Sequence, residues 1–76
     1  MELRHLRYFE AIARHGHVSR AARELHLAQP SLSKQLRVLE AELGVALFDR
    51  VGRRIELTEA GKLLLPYARR VLAEVD

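Results

Sequence analysis

Apolar residues recur at steps of three and four near the start of the chain, where Leu6, Phe9, Ile12 and Ala13 share one side of a segment from Leu3 to about His15. That spacing predicts an amphipathic helix. Gly16 stops it, because glycine tolerates the left-handed backbone that closes many helices, and His15 beside it suits the negative helix end. After a turn through His17 and Val18, Ser19 is the expected N-cap of a short second helix, RAARELH, in which Ala21 and Ala22 precede Leu25. Small residues there let a neighbouring helix come close. Leu27 then lies in a tight turn, and Pro30 fits the first turn of a third helix, where its missing N–H has no helical partner.

The third helix, from about Pro30 to Leu43, carries Leu32, Leu36, Leu39 and Leu43 as one narrow stripe. At about 100° per residue, Pro30, Lys34 and Arg37 fall opposite that stripe, with Ser31 and Ser33 on its flanks. Gly44 ends the helix. The run VALFDRVGRRIELT then switches toward a period of two, which predicts strands near 46–49 and 54–57 joined at Gly52 as a small β-hairpin wing. Thr58 reads as the N-cap of a fourth helix, with Glu59 favouring its positive end. Leu64, Ala68, Val71 and Val75 mark one face of that helix, and Pro66 inside the pattern predicts a bend near residues 62–66. The helix reaches Asp76 without a stop signal, so the natural protein is expected to continue.

Composition narrows the function classes. Seventy-six residues make one small domain with one core and leave no room for a second domain with its own ligand pocket. Such a core supplies only about 3 to 5 kcal/mol, so a staple or partner is expected. With no cysteine there is no disulfide and no thiolate metal site. No apolar run approaches the roughly 18 residues that would span a bilayer, and the charged start MELRHLRYFEAIAR is no signal peptide. The expectation is a soluble cytoplasmic protein with no membrane partner. Thirteen Lys and Arg against ten Asp and Glu leave a net charge of +3, a weak lean toward a polyanion that matters only through where the cations sit.

They sit on the outward face of the third helix and at the hairpin tip. A helix with a polar basic face enters the major groove, roughly 12 Å wide, with its N-terminal residues on base edges. Gln29 suits an adenine edge, Lys34 the acceptors of guanine, Ser31 or Ser33 a phosphate or either base type, and Pro30 a thymine methyl. Polar residues on one side of a helix are equally what solvation requires, so this helix alone decides nothing. Arg50, Arg53 and Arg54 around a glycine tip shift the balance, since such a hairpin tracks phosphates or enters a minor groove. His5, His15, His17 and His26 form no convincing ligand set, no Gly-x-Ser-x-Gly elbow is present, and no cofactor is called for. Leu64, Leu65, Ala68, Val71, Leu72 and Val75 make the fourth helix more apolar than a small core consumes, which points to homodimerisation; the alternative is packing back on the first helix.

The Ala21-Ala22 pair, Leu25, the run Ala28-Gln29-Pro30-Ser31-Leu32-Ser33, Leu39-Glu40, Leu43-Gly44, Leu47-Phe48, Arg50 and Leu57-Thr58-x-x-Gly61 occur in one order. In that order the chain resembles the N-terminal domain of LysR-type transcriptional regulators over nearly its whole length. The resemblance implies a helix from Gln29 to Arg37 in the major groove, a wing near Arg53 on the minor groove or backbone, and a fourth helix that pairs subunits. It also implies an absent C-terminal effector-binding domain, the only route for a small-molecule effector, and full-length dimers or tetramers on interrupted inverted repeats. Three positions depart from the family's habit. Ala28 and His17 stand where Ser is common, each removing a cap or phosphate contact, and Lys34 stands where Arg is frequent and lacks its planar fork.

The reading is therefore a mostly α winged helix-turn-helix domain, residues 1–58, followed by a linker and dimerisation helix, residues 59–76. It binds duplex DNA as a homodimer on half-sites about one helical turn apart. Specificity is assigned to Gln29, Pro30, Ser33 and Lys34, and affinity to Arg37, Arg50, Arg53 and Arg54. A winged-helix protein-interaction module without DNA binding is the first alternative. A metal-dependent or hydrolytic mini-enzyme, which requires converging histidines, is the second.

Overall fold

In the computed structural model, which describes residues 1–75, amphipathic segments fold into four helices and a hairpin in the order α1 (Leu3–His15), α2 (Val18–Leu25), α3 (Gln29–Leu43), β1 (Phe48–Val51), β2 (Arg54–Leu57) and α4 (Glu59–Val75). Left-handed residues end the first three helices: Gly16 and Gly44, each at φ 71°, close α1 and α3, as their positions in the sequence require. The third is unexpected. His26 takes φ 58° at the end of α2 and donates its N–H to the carbonyls of Ala22 and Arg23, making a sharp turn without glycine.

Element edges depart from the sequence reading in three places. Helix α2 begins at Val18 with His17 as N-cap, so Ser19 lies inside its first turn and caps nothing. Helix α3 begins one residue early, at Gln29. The first strand is shifted from 46–49 to Phe48–Val51, because Ala46 and Leu47 are held elsewhere: the Thr58 Oγ1–H donates to the Ala46 carbonyl at 2.7 Å, and Leu47 accepts the Thr58 N–H at 3.0 Å. Thr58 also receives the Gly61 N–H at 3.1 Å, which fulfils the capping role expected of it. Helix α4 then runs unbroken through Pro66.

The core has two lobes. Ala11, Ile12, Ala21, Ala22 and Leu32 pack where α1, α2 and α3 meet, and the two alanines in α2 give the close approach their size suggests. Phe9, Leu39, Leu47 and Ala68 form the second lobe, which brings α4 onto α1. Leu36 and Phe48 bridge the lobes, with Phe48 tilted against Phe9 at a ring separation of 5.4 Å. Leu43, assigned to the α3 stripe, is instead 38% exposed. The stripe outruns the core, which has nothing to set against its last turn. At the other end of the loop, a Cβ on Gly61 would collide with the Leu47 carbonyl oxygen, so only glycine lets α4 start this close to the chain before β1.

Candidate nucleic-acid interface

The α2–α3 turn leaves the start of α3 bare. Ala28, at its N-cap, makes no side-chain cap bond, and Gln29, Pro30 and Ser31 are all exposed. Of the residues assigned to the reading face, Lys34 and Arg37 are exposed and Ser33 is half-buried. All six therefore lie on one solvent-facing surface of a helix whose opposite side is anchored by Leu32 and Leu39.

The hairpin pairs antiparallel in the register Phe48↔Leu57, Asp49↔Glu56, Arg50↔Ile55 and Val51↔Arg54, with Gly52 at φ 64° in the first position of a two-residue loop. That loop is the kind whose twist matches paired strands. Residues opposite each other share a face. Phe48, Arg50, Ile55 and Leu57 thus line one face, and Asp49, Val51, Arg54 and Glu56 the other. This sorts the three wing arginines. Arg50 joins Ser33 and Arg37 in a cleft between α3 and the wing, floored by Leu36, Phe48 and Ile55. Arg53 stands at the tip. Arg54 is on the far face, held by Glu56 at 3.1 Å. The second residue of β2 ties the wing to the body: the Ile55 N–H donates to the Gly16 carbonyl at 3.0 Å.

The cations divide by location. On the α1 and α4 side, Arg14 bonds Glu10 at 3.1 Å and Glu24 at 2.7 Å, and Arg69 approaches Glu10 at 3.7 Å. Hydrogen bonds from Arg14, then from His15, hold the Glu24 carboxyl well below its ordinary 4.5, at about 2, while Glu24 and Glu10 hold the Arg14 guanidinium even more firmly charged. On the other side, among the described residues, Lys34, Arg37, Arg50 and Arg53 have no carboxylate in ion-pair reach. Arg20 and Arg23 on α2 share that condition, and the sequence reading passed over both. The missing signal was available: positions 19, 20 and 23 fall opposite Ala21, Ala22 and Leu25 on the helical wheel.

The residues assigned to dimerisation divide between the chain's own core and its open surface. Ala68 is 1% exposed and Leu72 9%, both taken up by the chain's own core, and Leu64 and Leu65 are half-buried against the same lobe. Those four residues follow a three-and-four spacing and form the stripe that packs on α1. Val71 and Val75 remain exposed, joined by Leu63 and Tyr67, which were missed, so the open apolar ridge is 63, 67, 71 and 75. Arg70 lies over the Tyr67 ring at 5.6 Å. The four histidines are engaged separately: His5 is buried against Gln35, His15 bonds Glu24 at 3.0 Å, and His17 and His26 flank α2 as its caps. Among the described residues, no group of three His, Cys, Asp or Glu is placed to hold a metal ion. No helix there is long and apolar enough to cross a membrane.

Residues 3–62 match the model of a family described as bacterial regulatory helix-turn-helix protein, lysR family. The RuBisCO operon transcriptional regulator of Allochromatium vinosum is 52% identical over 71 residues, which are 93% of this chain and 24% of that protein. The chain thus spans about a quarter of that relative's length. Among solved structures, a complex of the BenM DNA-binding domain with catB site 1 DNA superposes with a TM-score of 0.96 at 45% identity, covering 100% of this chain and 85% of that one. A complex of the CbnR DNA-binding domain with DNA gives 0.93 at 48% identity, covering 99% and 86%.

Proposed function

This chain belongs to the lysR family of bacterial regulatory helix-turn-helix proteins, and from that premise we propose that it is the DNA-reading part of a cytoplasmic transcription regulator, not of an enzyme. Helix α3 enters the major groove with Gln29, Pro30, Ser33 and Lys34 toward base edges, and Ser31 toward a phosphate. Arg37 and Arg50 flank the backbone strand that must pass between α3 and the wing, and Arg53 reaches the adjacent minor groove. Arg54 contributes less, because Glu56 must first release it. Residues 1–58 carry these contacts. Residues 59–76 pair two copies through Leu63, Tyr67, Val71 and Val75, placing two readers on an interrupted inverted repeat; dimers, or tetramers of a longer chain, follow. Any small-molecule effector acts through a part of the protein outside this sequence.

One observation supports the reading above all: among the described residues Lys34, Arg37, Arg50 and Arg53, on α3 and the wing, have no carboxylate in ion-pair reach, while Arg14 and Arg69 behind them are paired. A surface meant only for solvation gains from pairing its charges, whereas one that must meet phosphates keeps them free. Fluorescence anisotropy of the chain on a randomised duplex pool at several salt concentrations, followed by selection of the tightest binders, tests it. Affinity should fall linearly in log K against log salt, and the selected sequences should share a two-fold symmetric motif. Absence of binding at low salt would end the DNA reading and leave a protein-interaction module.

A further inference from the structure

His5 is the single polar side chain in the core of the described residues, 4% exposed, and nothing in the DNA contacts uses it. Its bonds run to the reading helix. The Glu2 backbone N–H donates to His5 Nδ1 at 3.3 Å, which leaves the ring proton on Nε2, and Nε2–H meets Gln35 Oε1 at 2.9 Å. The Glu42 carboxylate lies farther from Nδ1, at 3.8 Å, and is engaged by the amino terminus at 2.6 Å. The tautomer of His5 and the orientation of the Gln35 amide are therefore set together.

We propose that His5, acting through Gln35, is a positioning residue that fixes the rotation of α3 about its own axis, and so decides which outward side chains meet base edges. The inference rests on the DNA reading above. Leucine packing resists rotation softly: Leu32 and Leu39 are fully buried and Leu36 half-buried against both lobes, while Leu43 is exposed; besides the His5–Gln35 bond, the Glu40 carboxylate near the end of α3 accepts the Leu47 N–H at 2.7 Å. A hydrogen bond between two half-rigid planar groups is directional. Side chains of an α-helix reach about 5 to 6 Å from its axis, so a turn of roughly 10° carries an outward atom about 1 Å. Binding groups need placement to within about 0.5 Å, so this small rotation suffices to blur readout while leaving phosphate contacts, made by long flexible cations, almost untouched.

The test compares the tightest selected duplex with the randomised pool for the unaltered chain and for His5→Phe, Gln35→Leu and Gln35→Glu. The first two remove the bond from either end, and Gln35→Glu keeps an acceptor for Nε2–H. The ratio of affinities should fall about threefold to tenfold in His5→Phe and Gln35→Leu, the range of a typical hydrogen bond, with pool affinity and salt slope unchanged. In Gln35→Glu the added charge should weaken both duplexes alike and preserve the ratio. If His5→Phe does not fold, Gln35→Leu decides, because Gln35 is only half-buried. An unaltered ratio in the folded variants, or equal losses on both duplexes, overturns the proposal. Failure of the unaltered chain to bind the pool at all would instead end the DNA reading on which it depends.

Discussion

The α2–α3–wing side and the α1–α4 side of the molecule use the same residue types to opposite ends. On the first, among the described residues, Lys34, Arg37, Arg50 and Arg53 have no carboxylate in ion-pair reach; on the second, Arg14, Glu10, Glu24 and Arg69 form a chain of ion pairs, and an apolar ridge lies open beside it. An unpaired cation on a surface retains its electrostatic attraction for a polyanion, while an unpaired apolar ridge retains its tendency to leave water. Each side keeps unsatisfied the property its proposed partner would satisfy. A duplex suits the first, and a second copy of the chain suits the other.

Adjacent residues on α4 give the largest test of that division. Leu72→Glu removes a buried leucine at the edge of a cleft that Arg14 and Arg69 also line, and should cost about 2 kcal/mol, a large part of the stability of a domain of this size, in thermal or denaturant melts. Val71→Glu, one position on, should leave the melt within about 0.5 kcal/mol and instead move sedimentation from dimer to monomer, more completely when combined with Tyr67→Glu. Equal effects from the two single substitutions would erase the distinction between packing stripe and open ridge.

The wing supplies the next test. Arg53→Ala should weaken binding to selected and random duplexes alike and lower the salt slope by about one, the loss of one phosphate contact. Arg54→Ala, on the face held by Glu56, should change the slope by clearly less, and Glu56→Gln should raise affinity by freeing Arg54. A smaller change follows from Ala28→Ser, which offers the bare start of α3 the cap it lacks and should raise stability by about 1 kcal/mol in denaturant melts.

What the sequence made legible, and what it hid, follows the same line. Helix α1 and the closing glycines were readable because their signals are local, a stripe and the residue that ends it. The outward set on α3 was readable because one helix has one back. The α4 surface was not, since two apolar stripes on a single helix look alike in sequence, and only the position of Phe9 and Leu39 reveals which of them the core takes. The face on which Arg54 stands was hidden for a similar reason. Strand register decides its face, and the start of the first strand follows Thr58 holding Ala46 and Leu47, contacts between residues twelve and eleven apart.

The smallest expected effect lies in the paired network, where acid should undo the order that neutral pH maintains. Glu24 titrates near 2 in the folded chain against an ordinary 4.5, because Arg14 and then His15 donate hydrogen bonds to its charged form. A carboxyl whose folded value is depressed contributes stability in full above its unfolded value and loses it as pH falls through the folded one. The window is therefore pH 4.5 down to about 2. Glu24 is exposed, so solvent and salt screen the pair and keep its contribution modest. Denaturant melts across that window should find the unaltered chain more stable than Glu24→Gln at neutral pH, with the gap closing toward the acid end. A gap that stays constant with pH would mean that Glu24 acts through packing or helix propensity, and the contrast between paired and unpaired sides would then rest on geometry without the energetics to match.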